Sequence, residues 1–268
     1  MPDDRYTHGH HDAVLRSHRN RTIANSAAYL RPHLASGQRV LDVGCGPGTI
    51  TAEIAAVVAP GEVVAIDRAA DVLDEARAVC AEHGVDNVTI TVGDVYALDF
   101  ADDSFDVVHA HQVLQHLSDP VAALVEMARV CRPGGVVAAR DADYAGMTWH
   151  PADPRIERWM EIYQGVARAN DAEPNGGRHL LAWANAAKAF DRVEVTASVW
   201  CYAEPISRSW WGGLWSDRVT ATAMSKQATQ LGLANATDLE WCASGFRDWA
   251  EHPDGWFTVP HGEILAWV

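Results

Sequence analysis

Mostly apolar runs recur through the first half of the chain, at 39–43, Val63–Asp67, Val88–Val92, Phe105–Ala110 and Val136–Asp141. Short runs without polar alternation predict parallel strands covered on both faces. Helical spacing fills the gaps: Thr49 to Ile54, 69–83, and Pro120 to about Cys131. Strand and helix therefore alternate, which predicts an α/β sheet. Upstream, Val14, Ile23, Ala27, Leu30 and Leu34 recur at helical spacing, with Pro32 near the end, and predict one or two leading helices. Downstream the pattern changes. It predicts a helix over 154–169, a loop at Glu173–Gly177, a helix over 178–189 and a long strand from Arg192 to Tyr202. A helical insertion then runs from Pro205 to about Ala250, and two apolar segments close the chain, Trp256–Val259 and Gly262–Val268.

The first strand runs straight into Gly44-Cys45-Gly46-Pro47-Gly48, then a helix. Glycines let a ligand approach the backbone closely. The new helix offers unpaired N–H groups and a positive dipole end, which suits an anionic or strongly polar group. The dinucleotide fingerprint G-x-G-x-x-G fails here, because its third glycine would fall on Thr49. Asp67 ends the second strand roughly twenty residues on, where an acid can accept from both hydroxyls of a ribose. It could equally cap a helix starting near Ala69. Asp94 follows the third strand, where it can accept from an adenine amine while the Val95 N–H donates to a ring nitrogen.

Composition narrows the partners. The 268 residues carry a formal net charge of −15 and are 48% hydrophobic, with a pI near 5.2. That balance disfavours phosphate backbones and anionic membranes, so neither nucleic acid nor membrane is an expected partner. No apolar run reaches membrane length and the N-terminus lacks an apolar signal region, which predicts a cytoplasmic chain. Five scattered cysteines without a C-x-x-C give neither a disulfide framework nor a zinc site. His8, His10 and His11 cluster, but no carboxylate or cysteine stands at ligand spacing, so no metal is expected. All eleven tryptophans lie at or after Trp149. The core is therefore in the first half, and the second half carries flat side chains able to line a pocket.

Asp42 to Gly48, Asp67, Gly93-Asp94, Phe105 to Val108, His116-Leu117 and Arg132-Pro133-Gly134-Gly135 follow one another at set spacings. As a set they resemble the class I S-adenosylmethionine (SAM)-dependent methyltransferases, in particular the ubiquinone/menaquinone-type methyltransferase domain. The resemblance covers roughly residues 36–141. It implies a doubly wound, seven-stranded Rossmann-like sheet, mostly parallel, with an antiparallel last strand slotted between strands five and six, plus helical cap insertions. The expected organisation is one methyltransferase domain. It has an N-terminal helical segment 1–35, a SAM-binding core 36–141, cap insertions 142–175 and 205–250, and the rest of the core in 176–204 and 251–268.

The resemblance further implies SAM as cofactor, held by Asp42, Gly44, Cys45, Gly46 and Gly48 at its methionine end. Asp67 with Arg68 would take the ribose, Asp94 and Val95 the adenine, and His109, Ala110 and Gln112 would lie near the methionine group. Candidates for proton chemistry are His18, His109, His111, Asp141, Asp143 and Tyr144, with His18, His111, Asp141 and Tyr144 taken as the catalytic set, and each could instead be a hydrogen-bonded structural residue. His imidazoles titrate near neutral pH. The expected partner is a small, apolar or aromatic methyl acceptor, with the attacked atom and a homodimer left open. Two other readings stand beside this one, a SAM-binding protein without transfer (regulatory or cyclase-like) and a nicotinamide-dependent dehydrogenase. Trp211 and Trp215 share a helix face. They either pack a cap onto the core or wall an acceptor pocket with Tyr144 and Trp149.

Overall fold

The computed structural model describes Thr7 and residues 12–268, with the side chains of 12–15 left aside. The histidines at 8, 10 and 11 lie outside the described residues. Two short helices lead in, α1 (Asp12–Arg19) and α2 (Ile23–Ser26). Then come β1 (Val40–Val43), α3 (Thr49–Val58), β2 (Val63–Asp67), α4 (Leu73–Glu82), β3 (Val88–Val92), β4 (Phe105–His111), α5 (Pro120–Val130) and β5 (Cys131–Ala142). The second half comprises β6 (Thr148–His150), α6 (Pro154–Ala169), α7 (Gly176–Ala187), β7 (Arg192–Tyr202), α8 (Pro205–Ala221), α9 (Ala223–Gln230), α10 (Ala236–Glu251) and β8 (Trp256–Trp267).

The sheet runs β3-β2-β1-β4-β5-β8, with β7 on the far edge of β8. The pairings from β3 through β5 are parallel. β8 runs antiparallel to both β5 and β7, so the last strand is inserted between the fifth long strand and β7. The sheet has one strand more than the seven expected. β6 is only three residues long and continues the line of β5 along β8, pairing Thr148 with Thr258. β8 is also one strand rather than two segments, although it contains Pro260. The Pro260 carbonyl accepts from the Asp143 N–H. The missing N–H therefore faces the gap between the β5 and β6 pairings, where no ladder bond is required.

Two helical layers cover the sheet. On one face Leu41, Val43, Val108, Val137 and Ile264 pack with Leu124 and Met127 of α5 and Leu180 and Ala184 of α7. On the other, Val40, Val107, Val136 and Leu265 pack with Ile23, Ala27 and Leu30 and with Ile50 and Ile54 of α3. A third core joins α6, α8 and α10 to the ends of β5, β7 and β8, through Trp159, Tyr163, Trp215, Phe246, Trp249 and Phe257. Its rings meet at close range, Trp159 and Trp215 edge to face with centroids 4.4 Å apart. That geometry adds to the large area each ring buries.

Candidate functional site

The turn after β1 is shaped by its glycines. Gly44 and Gly48 both have positive φ, +70° and +79°. A Cβ on Gly44 would stand 2.5 Å from Val113 Cγ2, and one on Gly48 would stand 3.0 Å from Ala76. Only glycine fits both conformation and space. The Gly44 and Cys45 N–H groups donate to the Ile66 carbonyl, which anchors the loop to β2. Asp67 braces it further, since its Oδ2 accepts from the Gly46 N–H at 3.0 Å and its Oδ1 from the Ala69 N–H at 2.9 Å. The bond to the Ala69 N–H is the helix-entry role that the sequence offered for Asp67.

This loop floors a cavity of about 410 Å³. His18, Asp42, Gly44, Cys45, Gly46, Asp67, Arg68, Asp94, Val95, His111 and Gln112 all line it. So do four residues the motifs did not single out as cofactor contacts, Tyr96, Val113, His116 and Leu117. Asp94 Oδ1 accepts from the Tyr96 N–H at 3.0 Å, which turns the chain away after β3. Burial pushes the Cys45 thiol far above its usual range, so it is an inert wall.

The remaining expected residues are elsewhere. Gly48 lies behind the loop, under Ala76. His109 is fully buried and donates from Nδ1 to Asp42 Oδ1 at 2.8 Å, while Thr51 donates to Asp42 Oδ2 at 2.6 Å. His109 therefore supports Asp42 from below. Ala110 points into the opposite core layer with α5. Asp141 faces that layer too, accepting from the Gln115 N–H at 3.3 Å. Burial lifts its carboxyl to about 7. Tyr144 stacks on Tyr163 at 4.1 Å inside the aromatic core. Neither Asp141 nor Tyr144 lines this cavity. Two-residue alternation along β5 put Asp141 on the wrong face of the sheet.

A polar row crosses the sheet beside the cavity. Arg140 is 1% exposed. It donates from Nε to Glu263 Oε1 at 3.1 Å and from Nη1 to His111 Nε2 at 2.8 Å. Ser198 and Thr196 donate to the same Glu263. His261 donates from Nδ1 to the Val259 carbonyl at 3.0 Å, leaving Nε2 to accept from Gln112 Nε2 at 2.9 Å. Burial, then the charges of Arg21 and Arg140, hold His111 far below the normal imidazole range. Burial and Arg21 bring His116 to about 3. His111 is therefore neutral with its Nε2 lone pair occupied, and it cannot act there as a base.

The segment 17–21 borders the cavity through His18 and Arg21. The Thr49 hydroxyl donates to the His18 carbonyl, Arg19 pairs with Glu75, and Arg21 donates to Gln112 Oε1 at 2.5 Å. Arg218 of α8 donates to the Ser17 hydroxyl, tying this strap to the aromatic bundle. A second cavity of about 350 Å³ adjoins it. Its walls include Asn25, Ser198, Trp200, Tyr202, Trp210 and Trp211, and Arg21 lines both cavities. Trp215 is held in the aromatic core, and Trp149 stacks on Phe257 at 5.6 Å.

The comparisons with known proteins agree with this geometry. A family described as "Methyltransferase domain" matches residues 34–198. An uncharacterized methyltransferase of Schizosaccharomyces pombe is 32% identical over 97% of this chain and 95% of its own length. A ubiquinone/menaquinone biosynthesis C-methyltransferase of Bdellovibrio bacteriovorus is 41% identical over 38% of this chain and 43% of its own. The YcgJ protein of Bacillus subtilis shares the fold, with a TM-score of 0.56 at 22% identity over 90% of this chain and 96% of its own. No helix among the described residues is long and apolar enough to cross a membrane. A glycine loop without the dinucleotide spacing, acids after β2 and β3, and a relative matched along nearly its whole length set the nicotinamide reading aside. The chain belongs to the class I SAM-dependent methyltransferases.

Proposed function

We propose that the protein transfers the methyl group of SAM to a small apolar or aromatic acceptor bound in the second cavity. The observation that supports this reading is that the two cavities are neighbours sharing one wall residue, Arg21. The first cavity fits SAM by its donor set. It has a helix N-terminus and glycine loop for the amino-acid end, the Asp67 carboxylate for the ribose, and Asp94 with the Val95 N–H for the adenine. Arg68 lines the same cavity and would flank the ribose. SAM supplies a methyl carbon on a positively charged sulfur.

The chain's own residues align and seal. The strap bordering the cavity excludes water, and Gln112, held between Arg21 and His261, sets the wall between the cavities. Alignment of two reactants is worth up to roughly 7–11 kcal/mol in ideal cases. Desolvation and neighbouring guanidinium charge disfavour the imidazolium forms of His111 and His116, so any proton the acceptor must lose falls to His18, which lines the cavity, or to water. Aromatic walls supply apolar contact with a polar edge for orientation.

The test combines two measurements on the full chain. Calorimetric titration should show micromolar-range binding of SAM. Incubation with methyl-labelled SAM and an organic extract of small metabolites should yield an apolar labelled product. Trp210→Ala should lower acceptor kcat/KM at least tenfold while leaving the SAM Kd within about threefold. SAM binding with no labelled product, or full acceptor kcat/KM in Trp210→Ala, would overturn the acceptor assignment.

A further inference from the structure

The two edges of the sheet are treated differently. β3 is five residues long, and Arg77 donates from Nη2 to its Ile90 carbonyl. β7 is eleven residues long and pairs with β8 in unbroken register from Arg192 to Tyr202. Its other edge pairs with no strand among the described residues. Monomeric proteins guard such edges with lysine, proline, a bulge or an inward charge. From Val195 to Cys201 the strand reads Val-Thr-Ala-Ser-Val-Trp-Cys, with none of these devices.

The exposed face matches the edge. Val195 is 49% exposed and Val199 56%, and Ala197 and Cys201 beside them are exposed as well. Thr196 and Ser198 point the other way, toward Glu263. The sequence is also self-complementary about Ala197. An antiparallel twofold pairing centred there puts Ala197 opposite Ala197 of the partner subunit. Val195 falls opposite Val199 of the partner subunit, and Thr196 opposite Ser198 of the partner subunit. At the ends, Val193 meets Cys201 of the partner subunit, Glu194 meets Trp200 of the partner subunit, and Arg192 meets Tyr202 of the partner subunit. Every position on the apolar face meets an apolar or thiol partner, and no charge meets a like charge, the pattern that stabilises cross-strand pairs. A register shift of two residues moves the axis to Thr196 or Ser198 and sets Val195 or Val199 against Ala197, so the two valines no longer face each other.

We propose that β7 pairs antiparallel with β7 of a second copy, about a twofold axis at Ala197, to form a homodimer with one continuous sheet. The occupant is a second copy because the edge is complementary to itself in length, charge and apolar pattern, as an isologous interface requires. Main-chain hydrogen bonds supply the attraction and the Val195–Val199 pairs fix the register.

Two experiments on the full chain decide it. Residues directly opposite in an antiparallel pair have Cα atoms about 4.5–5.5 Å apart, within the span of a disulfide. Ala197→Cys should therefore convert the protein to a covalent dimer under mild oxidation. Ile206→Cys, on α8 and 87% exposed, should give only trace cross-linking. Sedimentation of the wild-type chain should show a dimer at micromolar concentration. The double variant Val195→Lys with Val199→Lys sets lysine against lysine twice and should raise the dimer dissociation constant at least a hundredfold, with an unchanged circular dichroism spectrum. A monomeric wild type, or a dimer that survives the lysines while the Ala197→Cys variant stays unlinked, would overturn the proposal.

Discussion

Arg140 on β5 donates to Nε2 of His111 on β4 across 2.8 Å. A guanidinium has no lone pair to offer. The bond therefore fixes His111 as the neutral tautomer with its hydrogen on Nδ1. Protonating Nε2 would break this bond and place an imidazolium beside Arg21 and Arg140. His111 should stay neutral through the pH range in which an ordinary imidazole titrates. Nitrogen-resolved NMR of the imidazole would show it, and an imidazolium signal from His111 at the ordinary imidazole midpoint would contradict the arrangement.

The same guanidinium neutralises Glu263, which is 5% exposed. Removing one member of a buried pair costs about 3–5 kcal/mol, because the other charge stays buried alone. Arg140→Met should lose that much in denaturant unfolding. Adding Glu263→Gln to Arg140→Met should recover part of the loss. An Arg140→Met protein as stable as wild type would show that Glu263 finds its counter-charge elsewhere.

Asp141 carries a pH signature. Burial lifts its carboxyl from the usual aspartate value to about 7, against backbone bonds and the charge of Arg140. A folded-state value above the unfolded one gives stability that is full below the unfolded value, near pH 4, and is lost as pH rises through 7. The full span corresponds to roughly 4 kcal/mol. Asp141→Asn keeps the acceptor for the Gln115 N–H and removes the charge. Its Tm should match wild type below about pH 4, exceed it increasingly as pH rises to about 7, and level off above that. A constant difference across that range would assign the elevated carboxyl to another residue.

Trp215 and Trp210 separate packing from binding. Trp215 is 1% exposed, amid Trp159, Phe246 and Tyr144. Trp215→Ala should cost about 3–5 kcal/mol, and activity should fall only with the folded fraction. Trp210 is partly buried on the second cavity, so Trp210→Ala should leave Tm nearly unchanged and depress acceptor turnover. Melting curves beside acceptor kinetics distinguish the two, and the reverse pattern would exchange their roles.

The strands were legible because a parallel strand buried on both faces needs an unbroken apolar run, as Val63 to Ile66 and Val136 to Ala139 show. Asp67 and Asp94 were legible as acids at strand ends facing a glycine loop. The protonation state of His111 was not, because it is set by Arg140, 29 residues away on the neighbouring strand. Periodicity also could not separate Trp211 from Trp215. Both sit on one helix face and both are buried in the aromatic core, and only the tertiary arrangement shows that Trp211, stacked on Tyr202 at 4.3 Å, also lines the second cavity while Trp215 does not. Pro260 hid the continuity of β8, since its missing N–H is harmless only where β5 gives way to β6.

Gly44 gives the sharpest test of the cofactor loop. Its φ of +70° is unfavourable for an L side chain, by roughly 1–2 kcal/mol. The added methyl of Gly44→Ala would also stand 2.5 Å from Val113 Cγ2, so either the loop or Val113 must move. Both residues line the first cavity, and either movement deforms it. Gly44→Ala should weaken SAM at least tenfold. Val113→Ala alone should change affinity by less than about threefold, because it opens space without moving the loop. Combining them removes the clash and keeps the backbone cost, so the double variant should recover part of the lost affinity. Gly46→Ala is the companion, since its Cβ meets nothing nearer than His18 Nδ1 at 3.8 Å. Its effect should match the residual loss of the double variant. If Val113→Ala restores nothing to Gly44→Ala, the clash is not what the glycine avoids, and close approach of the ligand to the backbone is the remaining reason for it.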